Sequence, residues 1–223
     1  MRLTELLVVG PDAEPDDLPR VRGRRLATLA TTIVAAGALL GAMLRVEEGS
    51  TAFTVLGLLA AGTWAIGALA SGPIPILPEG RRRVGATVVG AAGLGAVAFL
   101  LFLGAYLVAK HLPGLSGALD SVLDRADAGS RAVVLAVALL NGAGEELFFR
   151  GAVHAAVGRR RRVLKTTAVY VAVTLATGNL ALVVAAAVMG ALLGTVRQAS
   201  GSVLAPITTH LTWSTLMILL LPR

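Results

Sequence analysis

Long, predominantly apolar blocks separated by short knots of arginine constrain this chain more than any other feature. The blocks run over 26–44, 51–72, 84–109, 131–157, 163–178, 180–197 and 202–221. A hydrocarbon core of about 30 Å needs roughly 20 apolar residues per helix, so each block is a candidate span. The chain has 223 residues, of which only 15% are charged, and its mean hydropathy is +0.79. A soluble domain carries about 25% charged residues. Soluble globular, disordered and disulfide-scaffold classes are thereby excluded, the last because the chain has no cysteine. The fold class expected is all-α: a polytopic transmembrane helix bundle of about seven spans.

The net charge of +7 does not point to nucleic acid, because the basic residues sit in knots between apolar runs rather than over a domain surface. That pattern encodes membrane orientation. Arg20, Arg22, Arg24 and Arg25 precede the first span; Arg81, Arg82 and Arg83 follow the second; Arg159 to Arg162 and Lys165 follow the fourth; Arg197 follows the sixth. If all seven segments cross, these groups share one side. The other side holds Arg45 with Glu47 and Glu48, and a loop where Lys110, Arg125 and Arg131 are balanced by Asp120, Asp124 and Asp127. The positive-inside rule then places the N-terminus in the cytoplasm of a cell-membrane protein and the C-terminus outside. Residues 1–25 read as a polar cytoplasmic tail rather than a cleavable signal peptide, since charge precedes the first apolar run. Residues 115–127 have the pattern of a short amphipathic helix.

After Asp127 the remaining sequence holds only two acids, Glu145 and Glu146, adjacent and in the middle of the fourth span. An ionisable group in the bilayer core costs several kcal/mol (at least ~2.5 on insertion scales), so it calls for a partner or a function. Arg150 lies four residues after Glu146 on the same helix face and pairs with it. Glu145 is turned about 100° away and has no obvious local counter-ion. A carboxylate in such a site is suited to taking and returning protons. The competing structural reading joins both glutamates, Arg150 and Asn141 in one packing network.

Three histidines are present: His111 in the external loop, His154 near the cytoplasmic end of the fourth span and His210 in the seventh. His210 and Ser214 share a helix face. At ~1.5 Å per residue, Glu145 and Asn179 each lie ~21 Å in from the cytoplasmic charges and His210 ~12 Å in. A carboxylate, an amide, an imidazole and a hydroxyl are thus expected to converge near mid-membrane. Interhelical hydrogen bonding is the alternative use of such residues.

The run Glu145-Glu146-Leu147-Phe148-Phe149-Arg150-Gly151 resembles the EExxxR motif of the CPBP (CAAX protease and bacteriocin-processing) intramembrane endopeptidases. Gly190 to Ser214, with Gly201-Ser202, Ala205-Pro206 and His210, is similar to that family's last block. The resemblance covers roughly 128–221, read as the protease core; 26–110 forms the N-terminal transmembrane helices. It implies a glutamate-dependent protease of bacterial type. Glu145 is then the general base that activates water, Glu146 and Arg150 hold it in position, and His210 with Ser214 stabilises the oxyanion. Two positions depart from the pattern. Asn179 stands where the FxxxH motif ends in histidine, with Leu175 at its start, and Ser214 stands where asparagine is usual. Asparagine cannot exchange a proton at neutral pH, whereas serine can still donate a hydrogen bond.

No cofactor and no metal are expected, because no histidine lies within four residues of another and no HExxH is present. Ser200-Gly201 lacks the GxSG of rhomboid-like enzymes and reads as a loop. No aspartate lies within a span, which excludes aspartyl intramembrane proteases. Trp64 and Trp213 read as packing residues. The expected partners are membrane lipid and a membrane-tethered peptide or protein substrate. The rival reading is a catalytically inactive CPBP-like scaffold or immunity-type protein, resting on Asn179. A transporter using Glu145 as an ion site lacks other acids along a pathway.

Overall fold

A computed structural model of the chain describes residues 19–47, 49–78, 81–112, 115–127 and 130–221. The polar tail expected over 1–25 lies outside the described residues as far as position 18. So do Glu48 and the side chains of Arg20, Arg81, Arg82, Arg125 and Asp127.

Among the described residues the fold is all-helical. Its elements are α1 Pro19–Met43, α2 Thr51–Ser71, α3 Arg81–Ala109, α4 Ser116–Asp127, α5 Arg131–Ala156, α6 Arg162–Thr174, α7 Leu180–Ser200 and α8 Leu204–Leu220. Helices α1, α2, α3, α5 and α7 are long and apolar enough to cross a membrane. At 17 residues, α8 sits at the lower limit of crossing length. Of the seven segments read from the sequence, only α6 falls clearly short, with 13 residues followed by a 3₁₀ turn over Leu175–Thr177. Its end has a local cause. Gly178 takes a left-handed conformation at φ 68°, and Asn179 caps the next helix, its side chain accepting from Leu182 N at 3.1 Å. The amphipathic helix expected over 115–127 is α4.

Small residues set the helix spacing. A methyl group on Gly144 of α5 would come within 2.8 Å of the Ala61 carbonyl oxygen of α2, and one on Gly95 of α3 within 2.6 Å of Thr209 O on α8. Such close approach supplies the packing contacts that hold helices together where burial of apolar surface gives little drive. The largest buried cluster among the described residues surrounds Trp64, Phe148 and Phe149, all fully buried, with Ile74 and Leu29 around them. The Trp64 ring lies 4.9 Å from Phe148 and 5.2 Å from Phe149. On the outer surface, Val34, Ile66, Val89 and Leu101 point outward, as lipid-facing side chains do.

One end of the bundle collects the segments that carry the arginine knots. Arg25 Nε donates to Ser71 O at 3.1 Å, and the extended stretch that follows receives Val203 N at Pro75 O and Leu204 N at Ile76 O, each 2.9 Å. Arg162 Nε donates to Val157 O at 3.2 Å and Arg197 Nε to Arg150 O at 3.0 Å. Arg25 and Arg162 therefore satisfy backbone carbonyls at helix ends, and Arg197 one within the π-helical stretch of α5, as well as carrying charge. The opposite end holds α4 and the starts of α2, α5 and α7.

Candidate active site

The site is built on α5, which lies between α2 and α8. Six consecutive residues, Phe148 to Val153, are buried, so the helix is enclosed on every side there. Over Leu147–Val153 it widens into a π-helical stretch. Such stretches are frequent at functional sites because they re-aim side chains that a regular 3.6-residue turn would place elsewhere.

Immediately before the widened stretch, Glu146 is fully sealed from solvent. Its Oε1 accepts from Arg150 Nη1 at 2.9 Å and faces His210 Nδ1 at 3.0 Å. The pair with Arg150 read from helical spacing is present, and α8 contributes the imidazole. Arg150 also reaches α7, with Nη2 3.4 Å from Gly190 O and 3.5 Å from Met189 O. Its guanidinium stacks 4.8 Å from the centre of the Tyr170 ring on α6. One ion pair thus ties α5, α6, α7 and α8 together.

Glu145 has different surroundings. It is only partly buried and borders a cavity of about 290 Å³, shared with Tyr170, Thr174, Met189, His210 and Trp213. Its Oε2 accepts from the Tyr170 hydroxyl at 2.7 Å. With Nδ1 of His210 engaged by Glu146, Nε2 is the ring's remaining polar atom. It accepts in the neutral ring and donates only in the doubly protonated one. The arrangement places a carboxylate and an imidazole on one mainly apolar, partly open cavity.

Asn179 and Ser214 are placed otherwise. Asn179 sits in the turn between α6 and α7, where Nδ2 donates to Ala118 O and Ser121 Oγ of α4, both at 2.9 Å. It is absent from the cavity lining. Ser214 is buried on α8 and also outside the lining. Asn141 donates to Gly57 O at 2.9 Å and Val137 O at 3.0 Å, joining α5 to α2 rather than to the glutamates. His154 is buried toward the basic end, among the charges of Arg197, Arg162 and Arg150, and does not line the cavity. No three His, Asp or Glu side chains among the described residues come together as a metal-ligand set.

Sequence reasoning passed over Tyr170 and read Trp213 as packing only. The available signal was scarcity: Tyr170 is one of two tyrosines and lies inside an apolar segment.

Helices long enough to cross lipid describe a multi-pass membrane protein, and a buried ion pair beside a second acid that faces a cavity marks its candidate site on α5. Residues 127–216, about two fifths of the chain, match the family model described as Type II CAAX prenyl endopeptidase Rce1-like. The matched segment contains the run Glu145 to Gly151 that carries the CPBP resemblance. No curated protein and no solved structure matches the chain.

Proposed function

We propose that the protein is an intramembrane endopeptidase that hydrolyses peptide bonds of membrane-tethered substrates with water activated by Glu145. The observation that carries this reading is the division of labour between adjacent acids. Glu146 is sealed and committed to Arg150 and His210, while Glu145 borders the cavity. In the first step Glu145 takes a proton from water as the oxygen attacks the peptide carbonyl carbon. The resulting oxyanion is stabilised by His210 on the cavity wall, in its doubly protonated form so that Nε2 donates. Ser214 lies outside the lining and takes no direct part. Glu145 then returns the proton to the departing nitrogen as the C–N bond breaks, leaving a carboxyl and an amine product. Glu146 and Arg150 fix the helix that presents Glu145.

On this reading the protein lies in the cell membrane with its N-terminus in the cytoplasm, an orientation supported by the arginine knots between the apolar segments. Cleavage of a membrane-tethered peptide by the purified full chain tests the chemistry. Removing a general base lowers rates by ~10²–10⁴, so Glu145→Gln should fall by at least about 100-fold. His210→Ala should also be impaired. Equal cleavage by wild type and both variants overturns the protease reading.

Asn179 favours a second reading, an inactive relative serving as a membrane scaffold. Its amide is taken up by α4 and by the start of α7, so it holds no water beside Glu145. Absence of any Glu145-dependent cleavage across a panel of tethered peptides would favour that reading.

A further inference from the structure

We propose that Tyr170 is the positioning residue for Glu145, fixing one carboxylate oxygen so that the other is the one that exchanges a proton with water. The inference rests on the general-base reading of Glu145. Tyr170 lies 25 residues from Glu145 and on another helix, and its hydroxyl donates to Oε2 at 2.7 Å. That length is in the range of O–H···O⁻ bonds, which are roughly twice as strong as neutral ones. A glutamate side chain turns about three bonds, and in an apolar cavity its competing partners are the groups already bound to Glu146. Without an anchor, Glu145 can swing toward Arg150 or His210 and join that network. With Oε2 occupied, Oε1 carries the exchanged proton and the carboxylate keeps one orientation through the cycle.

The phenol is itself held on two sides of its ring, and the backbone that carries it by a third contact. Its ring packs 4.7 Å from Phe149 and stacks on the Arg150 guanidinium at 4.8 Å. One turn on, Thr174 Oγ1 donates to the Tyr170 carbonyl at 2.9 Å and lines the same cavity. Arg150 therefore serves two acids at once, Glu146 directly and Glu145 through the ring that orients it.

Tyr170→Phe separates the hydroxyl from the packing, because the ring and its stacking remain. With purified full-length protein in lipid and a membrane-tethered peptide, kcat should fall on the order of 10-fold to 100-fold, the value of one hydrogen bond to a charged group. KM should change by less than about twofold, since the bond orients the base and does not bind substrate. An unfolding midpoint near that of wild type would show that the fold is kept. A second readout needs no turnover. Infrared difference spectra against Glu145→Gln isolate the Glu145 carboxyl band, and that band should move in Tyr170→Phe. Unchanged kcat in Tyr170→Phe, or a Glu145 band that stays in place, overturns the inference. If wild type and Glu145→Gln cleave equally, the hydrolase reading falls separately, and a band that stays in place still rejects the Tyr170 contact.

Discussion

Glu146 and Arg150 are both sealed from solvent, so the energy of their pair is governed by what is left when one partner is removed. Taking away Arg150 strands a carboxylate in the bundle and frees the carbonyls of Met189 and Gly190 that its second nitrogen approaches. Breaking such a buried pair typically costs ~3–5 kcal/mol. Arg150→Ala should therefore lower the unfolding midpoint in detergent markedly. Arg150→Lys should recover only part of the loss, because one ammonium cannot reproduce the planar fork or its stacking on Tyr170. Unfolding curves that match wild type for both variants would contradict this. The Glu146–Arg150 contact was legible from spacing because it is local, four residues along one helix. The Tyr170 contact was not, because it depends on how α5 and α6 are set against each other. His210 was recognised as a partner, but its attachment to Glu146 could not be read from depth along the membrane normal.

Among the elements, α4 has the clearest dependence on a single side chain. It is short and amphipathic, and Asn179 donates to both its Ala118 carbonyl and its Ser121 hydroxyl. The same asparagine caps α7 through its other amide atom. Loss of an N-cap alone costs ~1 kcal/mol. Asn179→Ala is expected to speed amide hydrogen exchange in α4 and the first turn of α7 while leaving α2 and α5 close to wild type; exchange read by mass spectrometry distinguishes this from a global loss of stability. Asn179→His should give no gain in cleavage, because position 179 does not border the cavity that Glu145 shares. The sequence motif had suggested the opposite placement. Counting from Leu175 to Asn179 assumes one regular helix, whereas the chain passes through a 3₁₀ turn and a left-handed glycine before reaching Asn179. The widening of α5 was equally hidden, since nothing in Leu147–Val153 breaks α-helical periodicity except that every side from Phe148 onward is buried. By contrast, the apolar blocks and α4 were legible, because length and amphipathic pattern are properties of the local chain.

For the whole molecule, the separation of charge is a physical prediction about how the bundle sits in lipid. The helix ends near Arg25, Arg162 and Arg197 are linked through the stretch after α2 and the end of α5. The stretch after α2 also leads into α3, whose first turns carry Arg83. At the other end, Lys110 and Arg45 share the surface with Glu47, Asp120 and Asp124. Translocating the arginine-rich end would move a cluster of cations through the lipid, whereas the mixed end carries opposing signs. Although α6 is short, it still connects the two ends. Its first turn follows the Arg159–Arg161 knot, and the residue that closes its exit turn, Asn179, bonds to α4. A chain that changes sides at α1, α2, α3, α5, α6, α7 and α8 would carry the start of α1 and the end of α8 on opposite faces. A reporter that fluoresces only in the cytoplasm should be bright when fused before α1 and dark when fused after α8, and one active only outside should show the reverse. A bright cytoplasmic reporter after α8 would mean that an odd number of the seven segments fails to cross, with α6 at 13 residues and α8 at 17 the shortest of them, and would overturn this orientation.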